Sequence, residues 1–335
     1  MGSVRIVFSE DPREFQRRNW SGLVHEDPAG TFFHQPSFLK LYWEEFGEDA
    51  DGLLLAFGED DAGEQVAAVG FERSGTVLRF LGGVEITDYL GPVARADVKE
   101  AFAAALWDAL LAREDWATAD LWGIAEDSGW YGLLADAATE RGLSVEEAPD
   151  HDGLAPYLEL PPTWDGYLEG LPAKLRHEIR RKAKKLESEA GPVSIVTAGT
   201  QDLAALLDRF VELHHLSAGP KGVFMVPGME IFFRRLGEAF LSSGAFRLNF
   251  IEVGGSLAAG TIGFRWGDRS YLYNSAFDRS WGALAPGMVL VGEDIRLAIE
   301  DGAAGFDLLK GDYAYKYRFG AVARRVLRMV VRRSP

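Results

Sequence analysis

The stretch SYLYNSAFDRSWGALAPG, residues 270–287, decides how the second half of this 335-residue chain is interpreted. It predicts a strand that passes through a glycine-containing loop into a helix beginning near Pro286 and Gly287. A helix start reached through small residues offers backbone N–H groups to an anion, and the helix dipole adds to the attraction. The stretch therefore predicts a phosphate-binding loop, or else an ordinary strand–helix connection with proline at its first helical position.

The sequence on both sides of this stretch predicts one α/β unit. Residues 246–252, 256–266 and 270–277 have the apolar pattern of an antiparallel meander with glycine turns. A helix is predicted from Pro286 to Ile299, and a buried strand follows at residues 305–309.

A similar order of elements occurs in the first half of the chain. The strand Gln65–Phe71 (QVAAVGF) corresponds to Ser256–Phe264 (SLAAGTIGF), and each lies between a preceding helix and strand and a following helix and buried strand. The identity is slight, so either the chain repeats one unit or the likeness is coincidental. We interpret it as a repeat, which predicts an α/β fold with mixed α+β sheets, divided into units at residues 1–160 and 161–335.

The two halves of the chain differ in net charge. Residues 1–160 contain 11 basic and 32 acidic side chains, whereas residues 161–335 contain 24 and 19. Net acidity argues against general nucleic-acid binding and against DNA as a partner, since such binding depends on phosphate neutralisation. Seven basic residues lie between Pro172 and Lys185 on a predicted helix, Leu171–Ala190. This helix either contacts the acidic half or binds an anionic ligand.

Several classes of protein are excluded or disfavoured. There is no cysteine, which excludes disulfides and thiolate chemistry and favours a reducing cytoplasm. The histidines lack metal-ligand spacing, so we expect no metal. No apolar run is long enough for a membrane span, and the N-terminus turns acidic too early for a secretory signal.

A second stretch, GFDLLKGDYAYKYRFG at residues 305–320, places tyrosines beside Lys316 and Arg318. These side chains suit a wall against phosphates or a developing oxyanion. Alternatively, the tyrosines fill a strand edge and the lysine is solvated.

The order of these features resembles the GNAT acyltransferase superfamily. More narrowly, it resembles CelD-type acetyltransferases of cellulose and exopolysaccharide synthesis, which are related to the Fem-type peptidoglycan aminoacyltransferases. The resemblance covers roughly residues 160–320, and the first half is similar to a degenerate GNAT-like unit. It rests on four motifs: LRHEIRRKAKKLE ending at Glu187, Phe277-Asp278, Ala285-Pro286-Gly287-Met288, and FDLLKGD with Tyr315-Lys316. Two positions depart from the family pattern, because residues 279–284 only approximate its pyrophosphate loop and Ala285 replaces a frequent serine.

The resemblance implies transfer of an acyl group, acetyl above all, from acyl-CoA to an amine or hydroxyl of a sugar, glycan precursor or small molecule. The donor pyrophosphate would contact the segment around the helix start, and Tyr273 or Asp307 would act as base. Lys316 would stabilise an oxyanion or a phosphate. The predicted binding residues are, for the donor, Gly282, Ala283, Ala285, Pro286, Gly287, Met288 and Tyr315, and, for an acceptor phosphate, Arg176, Arg180 and Lys221.

Three alternatives remain open at this point. Aminoacyl-tRNA could replace acyl-CoA as donor, which the basic helix favours and the acidic first half disfavours. A non-catalytic GNAT-like module would bind an anionic glycan precursor or a protein without turnover. A structural interaction protein would bind no small ligand tightly.

Overall fold

A computed structural model describes residues 3–149, 153–217 and 224–333. The chain divides into two compact units, the first formed by Met1–Leu154 with Arg324–Pro335 and the second by Ala155–Ala323. The first unit is therefore discontinuous in sequence. In the described residues no helix is long and apolar enough to cross a membrane.

The first unit contains a mixed sheet with helices. Its strands are β1 (Arg5–Ser9), β2 (Gly52–Glu59), β3 (Gln65–Ser74), β4 (Val77–Phe80), β5 (Val93–Ala94), β6 (Thr118–Ala125), β7 (Ser144–Ala148) and most of β14 (Val322–Arg332), and its helices are α1 (Glu14–Arg17), α2 (Trp20–Glu26), α3 (Pro36–Phe46), α4 (Lys99–Leu111) and α5 (Trp130–Glu140). The strands lie in the order β1-β2-β3-β4-β6-β14, with β5 against β3 and β7 against β14. Neighbours are antiparallel except β4 and β6, which are parallel.

The second unit has the same arrangement. Its strands are β8 (Leu154–Glu159), β9 (Val193–Thr197), β10 (Phe246–Val253), β11 (Ser256–Trp266), β12 (Arg269–Phe277) and β13 (Gly305–Asp307), and its helices are α6 (Trp164–Gly170), α7 (Ala173–Ala190), α8 (Leu203–Leu216), α9 (Pro227–Phe240) and α10 (Pro286–Glu300). The strands lie in the order β9-β10-β11-β12-β13-β8, and only β12 and β13 are parallel.

Helices cover both faces of this second sheet. Successive residues of a strand point to opposite faces, and Ala259 of β11 packs in a cluster with Leu186 of α7 and Leu290 of α10. A side chain at the next residue, Gly260, would instead meet Phe210 of α8. Helices α7 and α10 therefore pack on one face, and α8 lies on the other.

The tandem α/β fold predicted from the sequence is confirmed. The two similar sequences form β3 and β11, which occupy the same place in their sheets, since each is the third strand of an antiparallel run. The division of the chain differs in detail from the predicted boundary at residue 160, because it falls at Leu154 and the last strand returns to the first unit. There β14 pairs with β6 and β7, a partner choice that an alternating apolar pattern alone does not specify.

Candidate active site

The candidate site lies where β12 and β13 separate. The two parallel strands pair only from Arg269–Tyr271 to Gly305–Asp307. Strand β12 continues to Phe277, six residues beyond the last pair, while β13 ends at Asp307. The result is a fork between the strands, immediately before the connection that leads from β12 into helix α10.

A β-bulge lies on β12 inside this fork. Ile262 of β11 is opposite Asn274, whereas the next residue, Gly263, is opposite Leu272, so Tyr273 is the extra residue. A bulge breaks the alternation of side chains along a strand. Accordingly, both Tyr273 and Asn274 face the helices of one side.

The contacts of these two side chains identify that side. The Tyr273 ring packs against Phe233 of α9, with ring centroids 5.8 Å apart. The Asn274 Oδ1 lies 2.7 Å from Nε2 of His214, a residue of α8 that is 1% exposed. A buried histidine is thereby joined to the strand that forms one arm of the fork.

Two buried polar side chains lie at the end of β13 and in the segment after it. Asp307 is 1% exposed and accepts a hydrogen bond from the Leu309 N–H at 2.8 Å. Lys316 is 3% exposed, and its Nζ donates to the carbonyl oxygens of Leu309 at 2.7 Å and Lys310 at 2.6 Å. A lysine ammonium has three N–H donors, so these two bonds use two of the donors of Lys316.

The loop after β13 has an unusual backbone that makes these contacts. Leu309 has φ of +60°, a conformation uncommon for a residue with a side chain, and Gly311 has φ of +106°. This turn directs two successive carbonyl groups at the Lys316 ammonium. The lysine therefore fixes the loop, in addition to any contact with substrate.

Tyr315, predicted to bind the donor, lies beside this loop. It is partly buried and packs against the apolar cluster that contains Phe319 and Leu308. Burial raises the pKa of its phenol to about 12. It is therefore a neutral hydrogen-bonding group rather than an anion.

The predicted phosphate loop forms a short 3-10 turn, Arg279–Leu284, followed by α10. Ala285 precedes the helix in the left-handed conformation, with φ of +52°. The Ala285 N–H donates to the Gly282 oxygen at 3.2 Å, and the Met288 N–H donates to the Ala285 oxygen at 3.0 Å. Because Pro286 has no N–H, Gly287 carries the foremost backbone donor of the helix start.

Helix α7 holds this loop in place. Lys185 donates through Nζ to the Ala283 oxygen at 3.1 Å, and Trp281 and Leu284 pack against the cluster that contains Leu186. The backbone beside Gly287 is open, because an added Cβ would meet only the Phe277 ring at ordinary contact distance, 3.8 Å or more. The helix start thus leaves room for a side chain at residue 287.

Of the three predicted acceptor-binding cations, Arg176 and Arg180 lie within the described residues. Arg176 is directed at the end of α6, where its Nη1 lies 3.4 Å from the carbonyl oxygens of Leu168 and Glu169. Arg180 lines a cavity of about 260 Å³ between α6, α7 and the first turns of α10. Lys221 lies outside the described residues.

The cavity beside Arg180 contains further charges. Lys182 and Arg318 also line it, and Glu178 lies 4.0 Å from the first and 3.1 Å from the second. Its apolar wall includes Trp164 and Met288, the third residue of α10. The cavity therefore adjoins the helix start and combines cations with an aromatic surface.

The pair His214–Asn274 was not predicted from the sequence. The histidines were compared only with metal-ligand spacings, and His214 does not match one. The available signal was different: an asparagine in the apolar strand 270–277, together with a histidine on the apolar face of a predicted helix. Such residues often satisfy each other inside a protein, but the sequence alone does not place them 2.7 Å apart.

A protein-family model matches residues 173–317, and it describes an acetyltransferase (GNAT) domain. Among curated protein sequences, none matches the chain.

Solved structures match over nearly the full length. The crystal structure of FemX has a TM-score of 0.66 at 13% identity, covering 94% of this chain and 95% of that one. L-PGS from Bacillus licheniformis has a TM-score of 0.56 at 13% identity, covering 99% and 93%. A tandem GNAT protein from the clavulanic acid biosynthesis pathway has a TM-score of 0.50 at 14% identity, covering 99% and 100%. The chain thus has the fold of these proteins, and its residues 173–317 are similar to a GNAT acetyltransferase domain.

Proposed function

We propose that this protein is an acyltransferase that moves an acyl group, acetyl above all, from acyl-CoA to an amine or hydroxyl of a sugar, glycan precursor or small molecule. The observation that carries the proposal is the fork between β12 and β13 with its bulge at Tyr273. A strand segment that leaves its parallel neighbour gives an extended acyl chain a place to lie against the backbone. The match of residues 173–317 to a GNAT domain supports the same reaction.

The reaction proceeds by direct transfer. The acceptor nitrogen or oxygen attacks the thioester carbonyl, a tetrahedral oxyanion forms, and the carbon–sulfur bond breaks as the CoA thiolate leaves. Tyr273 or Asp307 takes the acceptor proton, directly or through water, and the thiolate is finally protonated. No covalent enzyme intermediate is required.

The donor phosphates would contact the Gly287 N–H at the start of α10. Few other N–H groups of the loop are available, because the backbone donors of Ala285 and Met288 are used within it. Side-chain cations would therefore add to the attraction, and Arg180 and Lys182 in the adjoining cavity are suited to this. A role of Arg176 in binding the acceptor stays a prediction, as does the narrower similarity to CelD-type enzymes.

Lys316 has two roles in this proposal. Its bonds to the Leu309 and Lys310 carbonyls hold the loop that follows Asp307. Its ammonium charge would also stabilise the oxyanion or a donor phosphate.

Calorimetric titration with acetyl-CoA tests the proposal. The wild-type protein should bind acetyl-CoA in the micromolar range. Gly287→Glu should lose binding without losing stability, because there is room for a side chain and an acidic group suits a helix start. Gly132→Glu is the charge-matched control, since it adds the same group in α5 of the first unit, with no atom within 4 Å of its Cβ.

Two results would contradict the proposal: no binding by the folded wild-type protein, or equal binding by Gly287→Glu. The exposed cations of α7, among them Lys174, Arg181 and Lys184, favour aminoacyl-tRNA as the next donor to titrate. Transfer activity abolished by RNase would establish it. Binding of a nucleotide-sugar without turnover would indicate a non-catalytic module.

A further inference from the structure

The pair His214–Asn274 lies beside the bulge and has no role in the reaction as described so far. His214 is 1% exposed, and its ring packs against Phe210 of the same helix at 5.4 Å between centroids. Asn274 is only partly buried and belongs to the part of β12 that has left β13. One partner thus lies in the core, and the other lies on the strand segment that forms one arm of the fork.

The hydrogen bond between them determines which group of Asn274 is available. An amide oxygen only accepts hydrogen bonds, so the contact with Oδ1 requires the His214 tautomer that has its proton on Nε2. The carboxamide is then oriented with its Nδ2 group directed away from His214. Among the described residues, His214 is the hydrogen-bond partner of this side chain, and the two donors of Nδ2 can serve a ligand.

A group that contacts Nδ2 must be an acceptor of hydrogen bonds. Asn274 follows the bulge residue Tyr273 directly, and the bulge brings both side chains to the side of α8 and α9. In the proposed acyl transfer, the oxygen that needs donors is the thioester carbonyl, which becomes an oxyanion. Fixed side-chain amides are effective there because they do not reorganise as charge develops.

We propose that Asn274 is a catalytic residue whose Nδ2 donates a hydrogen bond to the thioester carbonyl oxygen and stabilises the oxyanion. His214 is the positioning residue that holds the Asn274 amide in this orientation. The inference rests on the proposed function, since it assumes an acyl donor in the fork. It adds to that function a side-chain hydrogen-bond donor, Asn274. It also gives a role to helix α8, which lies outside the β12–β13 pair.

Infrared spectroscopy of bound acetyl-CoA, labelled with ¹³C at its carbonyl, tests this without knowledge of the acceptor. The wild-type protein should lower the carbonyl stretching frequency relative to free acetyl-CoA. Asn274→Ala should return part of that shift at nearly unchanged affinity. Asn19→Ala, the same change at an exposed position of the first unit, should leave it intact. With an acceptor in hand, kcat should fall about 100-fold in Asn274→Ala, with little change in KM for the donor.

The role of His214 is tested in the same way. His214→Leu should give the carbonyl frequency of Asn274→Ala, and His214→Gln, which keeps a donor, should recover part of the shift. His215→Leu is the matched control, because this neighbour has a side chain that is 51% exposed and lies 3.4 Å from Glu230. If His214→Leu does not fold, Asn274→Ala still decides the question.

The outcomes separate the two proposals. Normal acetyl-CoA affinity with an unchanged frequency in Asn274→Ala would overturn the role of Asn274 and leave the acyltransferase intact. Failure of the wild-type protein to bind acetyl-CoA would overturn both.

Discussion

Within the part of the chain that the structure describes, each unit contains one parallel strand pair, and the two pairs have different surroundings. In the second unit, β12 runs past its last pair with β13 and leaves a fork. In the first unit, β4 pairs with β6 over an equally short stretch, Val77–Arg79 with Thr118–Asp120, but β4 ends at Phe80. For the strands that the structure describes, the same topology therefore leaves an open fork in the second unit and not in the first.

The chain itself fills the corresponding place in the first unit. The Leu81 N–H donates to the Gly70 oxygen at 2.9 Å, and the Leu90 N–H donates to the Gly123 oxygen of β6 at 2.7 Å. Both leucines are buried. Strand β5 then pairs with β3 at Ala67 and Ala68. In the first unit a connecting segment therefore occupies the place that corresponds to the open fork of the second unit.

Each unit has a lysine that binds buried oxygen atoms, and its removal should give the largest losses of stability. Only the lysine of the second unit should also be needed for activity. In the first unit, Lys99 pairs with the buried Asp27 at 2.6 Å. Lys99→Met leaves that carboxylate without its cation, and we expect a loss of about 3–5 kcal/mol in the free energy of unfolding. Lys316→Met leaves two carbonyls without their donor, which should cost roughly 1–3 kcal/mol and also abolish turnover.

Denaturant unfolding and initial-rate kinetics measure the two effects. Lys40→Met, at a lysine of α3 that forms an i,i+4 pair with Glu44 at 2.7 Å, controls for the loss of a partly exposed cation. Turnover that survives in Lys316→Met would remove Lys316 from the mechanism.

The two units should respond to pH in opposite directions. Burial lowers the pKa of His34 in the first unit to about 4, below its ordinary value of 6.5. Its contribution to stability is present above pH 6.5 and is lost as the pH falls towards 4. Burial raises the pKa of Asp294 in α10 from 3.8 to about 6. That contribution is fully present below pH 3.8 and is lost as the pH rises through 6, by up to roughly 3 kcal/mol.

The free energy of unfolding of Asp294→Asn and His34→Gln, measured between pH 4 and pH 7.5, checks these two directions. The range covers the pKa values of about 4 and about 6. Asp294→Asn should remove the part of the stability that falls as pH rises, because an amide does not titrate. Asn249 donates through Nδ2 to Asp294 at 2.8 Å, and the substituted amide keeps an oxygen that accepts this bond. His34→Gln should remove the part that falls as pH decreases. A profile unchanged in either variant would contradict the assignment of that residue.

A smaller effect is expected at the base of the fork. Gly305 begins β13, where the first unit has Thr118 at the equivalent position of β6. An added Cβ at Gly305 would collide with the Tyr157 hydroxyl group. Gly305→Ala should therefore destabilise the protein by about 1–3 kcal/mol. In a protein that already carries Tyr157→Ala, Gly305→Ala should destabilise less. Thermal unfolding of the wild type, the two single variants and the double variant measures this coupling.

The smallest effect on stability concerns two adjacent cations of α7. Arg180 lines the cavity beside α10, whereas Arg181 is exposed and does not. Arg180→Ala should weaken acetyl-CoA binding several-fold without lowering the melting temperature, because an exposed cation adds little to folding. Arg181→Ala should change neither. Equal binding by both variants would place the donor phosphates away from this cavity.

The sequence predicted most of the fold because the repeated pattern is local. The strands β3 and β11 and the helix that begins at Pro286 follow directly from apolar spacing and turn residues. The return of Arg324–Pro335 to the first unit could not be predicted in this way. Strand pairing between residues distant in sequence depends on which edge is available after folding, and no residue of β14 encodes that edge by itself.

The candidate site was predictable in part for a similar reason. The motif Ala285-Pro286-Gly287 specifies the helix start by its own conformational preferences, and the structure has Ala285 with positive φ before Pro286. The bulge at Tyr273 and the contact between His214 and Asn274 arise from the register of two strands and the packing of a helix. These are tertiary effects, which outweigh local preference.

The return of β14 to β6 and β7 also bears on how the protein is made. The whole second unit is synthesised before the last strand of the first unit, because residues 324–335 follow all of residues 155–323. The sheet of the first unit therefore lacks β14, the strand that pairs with β6 and β7, while roughly half the chain is translated. During that time the edges of β6 and β7 are exposed to other chains and to chaperones. The later-synthesised unit can thus reach its native state first, and the order of synthesis need not be the order of folding.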